Sequence, residues 1–268
     1  MEYESLRNTL GSFFNSNPAL RKFFLRSLDL FLLRSWHVQR ELRIWSRVNK
    51  GPKHILDAGS GFGQYSYFLT RLNSQYNVLG LDINAHQVSD CNRFFRQVHL
   101  NKVYFKKGDV KNLDQIEAYD LILGVGLLEY IEDEQELFNR FYTSLKDKGV
   151  VLIATLSDQL TWELREQNRH LFGDIATRKG FNINEIKEKF KKAGFYKVRA
   201  RYSFGKPGAL SWIISMKIPV QMVRKTKFLL FILPVYYLIT SPICLILNYL
   251  DTHMGHTSGK GIIVKAYK

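Results

Sequence analysis

Three acids and a cluster of glycines carry most of the recognisable chemistry in this 268-residue chain. Asp57 closes the short apolar run His54-Ile55-Leu56, and Gly59, Gly61 and Gly63 follow it at alternate positions. From Gln64 onward, Tyr65, Phe68, Leu69 and Leu72 recur at helical spacing. A strand, a tight glycine turn and a helix start together aim backbone N–H groups at a ligand. Glycine suits that turn because it takes positive φ without steric cost and lets a ligand approach the backbone closely.

The spacing selects the kind of ligand. A dinucleotide fingerprint reads G-x-G-x-x-G, and its third glycine lets the helix pack on the strand. Here position 64 is glutamine, and an acid stands two residues ahead of the first glycine. That acid would repel a pyrophosphate and attract an ammonium group. The loop therefore suits a cationic, phosphate-free nucleoside such as S-adenosylmethionine. Further elements repeat the layout. Val78-Leu79-Gly80-Leu81-Asp82 reads as a second strand ending in an acid, placed to accept hydrogen bonds from ribose hydroxyls. Val103 to Val110 reads as a third strand with Asp109 in its turn. Asp120 to Gly126 and Gly149 to Thr155 supply a fourth and a fifth.

These motifs, from Lys53 to Asp158, resemble the class I S-adenosylmethionine-dependent methyltransferases, in the type 11-like branch that acts on small molecules and lipids. Weaker echoes lie at Gly180–Phe195 and Gly259–Lys268. The resemblance implies that Asp57, Gly59, Gly61 and Gly63 hold the methionine end of the cofactor. Asp82, with Ile83 after it, would take the ribose, and Asp109 with the backbone of Val110 the adenine. Gly124 to Leu128 would pass beneath the sulfonium. Relatives often carry Glu-His-Ile after the fourth strand; here the text is Glu129-Tyr130-Ile131, so no role of that histidine transfers.

The elements that must position these residues follow from the alternation of strand and helix. It predicts an α/β fold, a doubly wound parallel sheet with helices on both faces, and the resemblance implies that this sheet is mostly parallel and seven-stranded with an antiparallel last strand. Tyr196–Tyr202 is the expected sixth strand and Gly261–Tyr267 the seventh. The expected organisation is an N-terminal helical cap over 1–50, a Rossmann-like methyltransferase domain over 51–204 and 259–268, and a hydrophobic helical insertion over 205–258. Asn17-Pro18 is a good helix opening. Leu20 to Val48 interleaves aromatic, aliphatic and basic residues. Two readings of that cap stand side by side: helices covering the substrate side of the sheet, and an amphipathic surface meeting anionic lipid.

Hydrophobic residues make up 46% of the chain, enough for a substantial core, and the two cysteines lack metal-ligand spacing. That usage, with no export signal at the start, predicts a reducing, cytoplasmic location. The net charge of +15 predicts attraction to nucleic acid or to an anionic membrane face. Residues 228 to 250 carry no charge, and ~20 apolar residues can span a bilayer. A single crossing is excluded because it would part the sixth strand from the seventh. The run, interrupted by Pro234 and Pro242, therefore predicts a bent or hairpin element, monotopic in the membrane or else a buried lid or dimer interface. Arg224, Lys225 and Lys227 at its entrance suit headgroup phosphates.

Methyl transfer needs alignment and exclusion of water more than it needs acid–base chemistry. A base, where one is used, would come from Glu129, Tyr130, Asp158 or His170. Each also has a plain structural reading, as cap or packing residue. His253 and His256 without further ligands make a poor metal site, so no metal is expected. The expected acceptor is a small lipophilic or lipid-linked molecule. Two alternatives compete: nucleic-acid methylation, and a scaffold without activity. After the fourth strand, Gly124-Val125-Gly126-Leu127 offers nothing to grip a flipped base, which argues against the first. Three converging acids argue against the second.

Overall fold

The computed structural model describes residues 17–159, 180–225 and 232–268. Its centre is one seven-stranded sheet in the order β3-β2-β1-β4-β5-β7-β6. The strands are β1 (His54–Ala58), β2 (Asn77–Asp82), β3 (Val103–Lys107), β4 (Tyr119–Val125), β5 (Leu145–Leu156), β6 (Lys197–Ser203) and β7 (Gly261–Tyr267). The first five pair in parallel, and β7 runs antiparallel between β5 and β6. This is the predicted class and topology. The expected strands are all present, and β5 starts earlier than predicted. Leu145 pairs with Tyr119 before a register shift, which adds the residues ahead of Gly149 to the strand.

Alternation along each strand divides the core. Leu56, Ile122 and Val151 point to one face, while Ile55, Leu121 and Leu152 point to the other. Both faces are covered, which is why the central strands read as continuous apolar runs. On the first face α5 (Glu134–Ser144) packs against α6 (Ile183–Lys192), with Phe138 stacked on Phe190. The second face carries α1 (Pro18–Phe31), α2 (Leu33–Val48), α3 (Gln64–Leu72) and α4 (Ala85–Gln97). Asn17 caps α1 as predicted, its side chain accepting the Ala19 N–H at 2.7 Å. Leu32, in extended conformation, is the corner between α1 and α2.

Between β6 and β7 the chain forms a helical hairpin. One arm is α7 (Lys206–Trp212), a π turn at Ile213–Lys217 and α8 (Ile218–Lys225); the other is α9 (Leu233–His253). The arms are tied by Ser211 Oγ donating to Asn248 Oδ1 and by the Tyr236 and Tyr237 hydroxyls donating to the carbonyls of Ile214 and Ser215. Pro242 lies inside α9 and does not break it, so the expected interruption at that position is corrected. The missing N–H removes one bond of the helix ladder without ending it. Among the described residues no helix is long and apolar enough to cross a membrane.

A buried polar knot fixes the hairpin to the cap. His37 Nε2 meets Asp251 Oδ1 at 2.8 Å, and both side chains are fully buried. Arg201 Nη1 lies 3.0 Å from His37 Nδ1. A guanidinium only donates, so Nδ1 accepts, and Nε2–H is left to donate to Asp251. Burial, together with the Arg201 charge, holds the His37 pKa below its ordinary value despite the carboxylate. Burial pushes Asp251 upward, but hydrogen bonds from His37 and the Gly208 N–H outweigh it and leave the carboxyl below the usual range. Glu41 completes the knot with Lys265 at 2.6 Å and Arg201 at 3.3 Å.

Candidate functional site

The predicted cofactor residues gather at the carboxyl ends of β1, β2, β3 and β4, where a sheet of this topology opens a crevice. The turn after β1 is anchored by Leu81, whose carbonyl accepts the N–H groups of Gly59 at 2.8 Å and Ser60 at 3.1 Å. Gly59, Gly61 and Gly63 have φ of +72°, +50° and +73°, values that favour glycine. Their surroundings differ. A side chain on Gly63 would meet Phe105, Phe95 and Cys91, so that glycine lets α3 sit close to the sheet. A side chain on Gly61 would meet nothing within 4 Å. That open space above bare backbone is the cradle a ligand needs.

The acids differ in what they already hold. Asp82 accepts the Gly61 N–H on one oxygen (2.8 Å) and the Asn84 N–H on the other (2.9 Å), which fixes its carboxylate at the crevice rim. An ionised carboxylate has about four acceptor sites, so two remain for ribose hydroxyls. Ile83, 70% exposed, offers an apolar surface beside it. Asp109 caps the short turn Val110–Asn112 through the Lys111 N–H, and Val110 is buried against the sheet. Asp57 is 1% exposed and accepts Ser66 Oγ at 2.6 Å, behind the glycine turn and not in the open crevice. Burial pushes its carboxyl up to about 6, with the neighbouring Asp82 charge adding to the rise.

The cap helices buttress this turn. Arg21 donates to the Phe62 carbonyl at 3.0 Å, and Gln64 donates to Asp29 and Ser35. Gly124 is packed beneath Ile153 and Leu127 inside the sheet. Gly126, with φ +64°, is the residue after β4 that a second cap group approaches: Arg34 Nη1 would lie 2.7 Å from a side chain there. Arg34, half-buried, acts electrostatically on Tyr65 and has no carboxylate within ion-pair distance among the described residues. Sequence reading missed it because Leu20 to Val48 is rich in arginine, and only the fold singles one out.

The proposed bases fare differently. Glu129 is buried and accepts the Leu156 N–H at 3.2 Å, tying the turn after β4 to the end of β5. Tyr130 is exposed on that turn. Asp158 accepts from Ser157 and Asn182. His170 lies outside the described residues. His253 donates to its own helix at Tyr249, and His256 donates to the Asp251 carbonyl beside Gly205. No group of three or more metal-binding side chains occurs among the described residues.

A family model described as a methyltransferase domain matches residues 49–194, more than half of the chain and all of the crevice. The chain belongs to this methyltransferase family. Its crevice, with a bare Gly61 cradle facing the Asp82 carboxylate, fits the S-adenosylmethionine that such enzymes use. Among curated relatives, malonyl-[acyl-carrier protein] O-methyltransferase 1 of Ilyobacter polytropus is 28% identical over 57% of this chain and 56% of its own. A ubiquinone biosynthesis O-methyltransferase of Rhodopseudomonas palustris is 27% identical over 38% of this chain and 40% of its own. The chain thus spans about half the length of the curated relatives it matches. The methyltransferase fold is also that of Haemonchus contortus phosphoethanolamine N-methyltransferase 2 in complex with S-adenosyl-L-methionine. That structure has a TM-score of 0.59 at 21% identity, covering 85% of this chain and 52% of the other. A SAM-dependent methyltransferase from Archaeoglobus fulgidus aligns over 92% and 99%, with a TM-score of 0.55 at 18% identity.

Proposed function

We propose that this methyltransferase transfers a methyl group from S-adenosylmethionine to a small lipophilic or lipid-linked acceptor at an anionic membrane surface. The observation that carries the acceptor class is the orientation of α9. Its outward stripe is Val235, Leu238, Ile239, Ile243, Ile246 and Tyr249, with Leu238 77% exposed. Its inward side is Cys244, Asn248, Asp251 and Thr252. A helix that turns its polar residues inward and its apolar ones outward has an apolar partner. An in-plane lipid contact fits a hairpin that returns to the sheet on the side it left.

Within the crevice the roles divide by chemistry. Asp82 and the Gly61 backbone hold ribose and methionine, Ile83 and Val110 flank the adenine, and Asp109 fixes the turn beneath it. Asp57 sets a negative potential behind the glycine turn that favours the ammonium group. Arg34 is suited to the carboxylate of the same amino acid, so the two residues bracket a zwitterion. When bound, the cofactor supplies an electrophilic methyl on a sulfonium. The protein's task is to align an acceptor atom with it and to keep water out. Glu129 serves as a positioning residue at the end of β5. Tyr130 and His170 are the candidate bases for an acceptor that must lose a proton. Incubating the protein with labelled S-adenosylmethionine and a membrane lipid extract tests this reading. Label should enter the organic phase; label confined to water-soluble products would overturn the lipophilic acceptor.

A further inference from the structure

Four consecutive residues at the corner between α1 and α2 touch three different surroundings. Phe31 and Leu32 are exposed, at 52% and 44%. Leu33 turns inward and packs on Gly208 of α7, filling the space where a side chain on that glycine would stand. Arg34 lies over Gly126, just past the carboxyl end of β4. Two residues span at most ~7 Å, so exposed apolar surface lies within that backbone reach of the group over the active site. Leu210, on the same α7 that Leu33 packs against, is exposed as well. The helices that meet there also carry exposed cations, Arg26 on α1 and Lys206 on α7.

We propose that this corner and the hairpin form one lipid-contacting collar around the acceptor entrance, so that the acceptor passes from an anionic bilayer straight into the crevice. The proposal rests on the membrane reading of α9 and extends it to a second element. Its occupant is a bilayer containing anionic lipid, because the helices of the corner and of the hairpin expose the cations Arg26 and Lys206 along with their apolar side chains and the whole chain carries +15. The covalent continuity of Leu32 with Arg34 gives the collar its function. A bilayer seated on the corner would seal the mouth against water on the side from which a lipophilic acceptor comes.

The test is flotation with vesicles of phosphatidylcholine alone or with added phosphatidylglycerol, using the full chain and the variants Phe31→Glu, Phe31→Ser and Leu238→Glu. Calorimetric binding of S-adenosylhomocysteine checks that each variant retains its crevice. The collar expects wild type to float with the anionic vesicles. Each glutamate variant should lose vesicle affinity by roughly tenfold or more, Phe31→Ser should weaken it in the same direction, and cofactor-product affinity should hold. Loss in Leu238→Glu alone, with both Phe31 variants like wild type, would overturn the collar and leave the hairpin as the contact. Failure of wild type to float with either vesicle would overturn the membrane reading itself. Equal flotation with phosphatidylcholine alone would remove the anionic partner.

Discussion

The crevice and the hairpin are built on opposite plans. At the ends of β1 to β4 the polar groups converge. Asp82 accepts the Gly61 N–H, the Leu81 carbonyl accepts the Gly59 and Ser60 N–H groups, and the apolar side chains stay behind them in the sheet. On α9 the polar groups also face inward, but they meet the cap and α7, and the apolar groups are left outside. The first plan makes a site for a charged, water-soluble cofactor. The second makes a surface that water does not complete. Both are held by the cap, through Arg21, Asp29 and Ser35 at the glycine turn and through His37 at the hairpin.

The contrast breaks first at Gly61. Gly61→Val adds a branched side chain at φ +50° where the cradle is open, so it should weaken S-adenosylhomocysteine binding by about a hundredfold or more. Vesicle binding through the hairpin should be untouched, and circular dichroism should report an intact fold. Asp82→Ala is the next step down. Losing the carboxylate leaves the Gly61 and Asn84 N–H groups to solvent and removes the ribose contact. The expected cost is ~1–3 kcal/mol of cofactor affinity by calorimetry. On the other side of the comparison, Ile239→Glu takes one large apolar side chain out of the outward stripe. Vesicle affinity should fall by ~1.5–3 kcal/mol while cofactor affinity stays constant.

Two smaller effects are read through pH. Asp57, with its carboxyl raised to about 6, is protonated in the free protein at lower pH, whereas a cationic cofactor favours the ionised form. Cofactor affinity should therefore decline as pH falls below about 6, with proton release on binding visible as buffer-dependent heat. In the free protein the same raised value gives a stability contribution that is complete below the ordinary 3.8 and lost as pH rises through about 6. His37 works in the opposite sense. Its folded-state pKa lies below 6.5, so the folded state binds fewer protons. The stability from the knot is present above pH 6.5 and is lost as pH falls below it through the folded value. Replacing His37 with Gln should flatten that part of a thermal-denaturation profile, because an amide offers a donor and an acceptor without titrating.

How much of this was legible in the chain follows the same division. The glycine turn and the strand-end acids are local patterns, each contained in a few residues, and the sheet brings them together; the direction of the last strand came only with the resemblance to a family. The start of β5 was hidden because Lys146, Asp147 and Lys148 are charged and continue no apolar run. Arg34 and the His37–Asp251 pair were hidden for a different reason. The latter partners are 214 positions apart, and nothing in the local text of either names the other. The outward stripe on α9 was half legible. The run without charge marked an apolar element, but its small and polar residues at 244, 248, 251 and 252 acquire a direction only when α7 and the cap are packed against them.

The central claim is that a bare turn and the Asp82 carboxylate make a seat for S-adenosylmethionine, and titration calorimetry of the full chain tests it most directly. Wild type should bind both S-adenosylmethionine and S-adenosylhomocysteine at one site per chain, and Gly61→Val should bind neither measurably. Absence of binding by a folded wild type, or undiminished binding by Gly61→Val, would contradict the account.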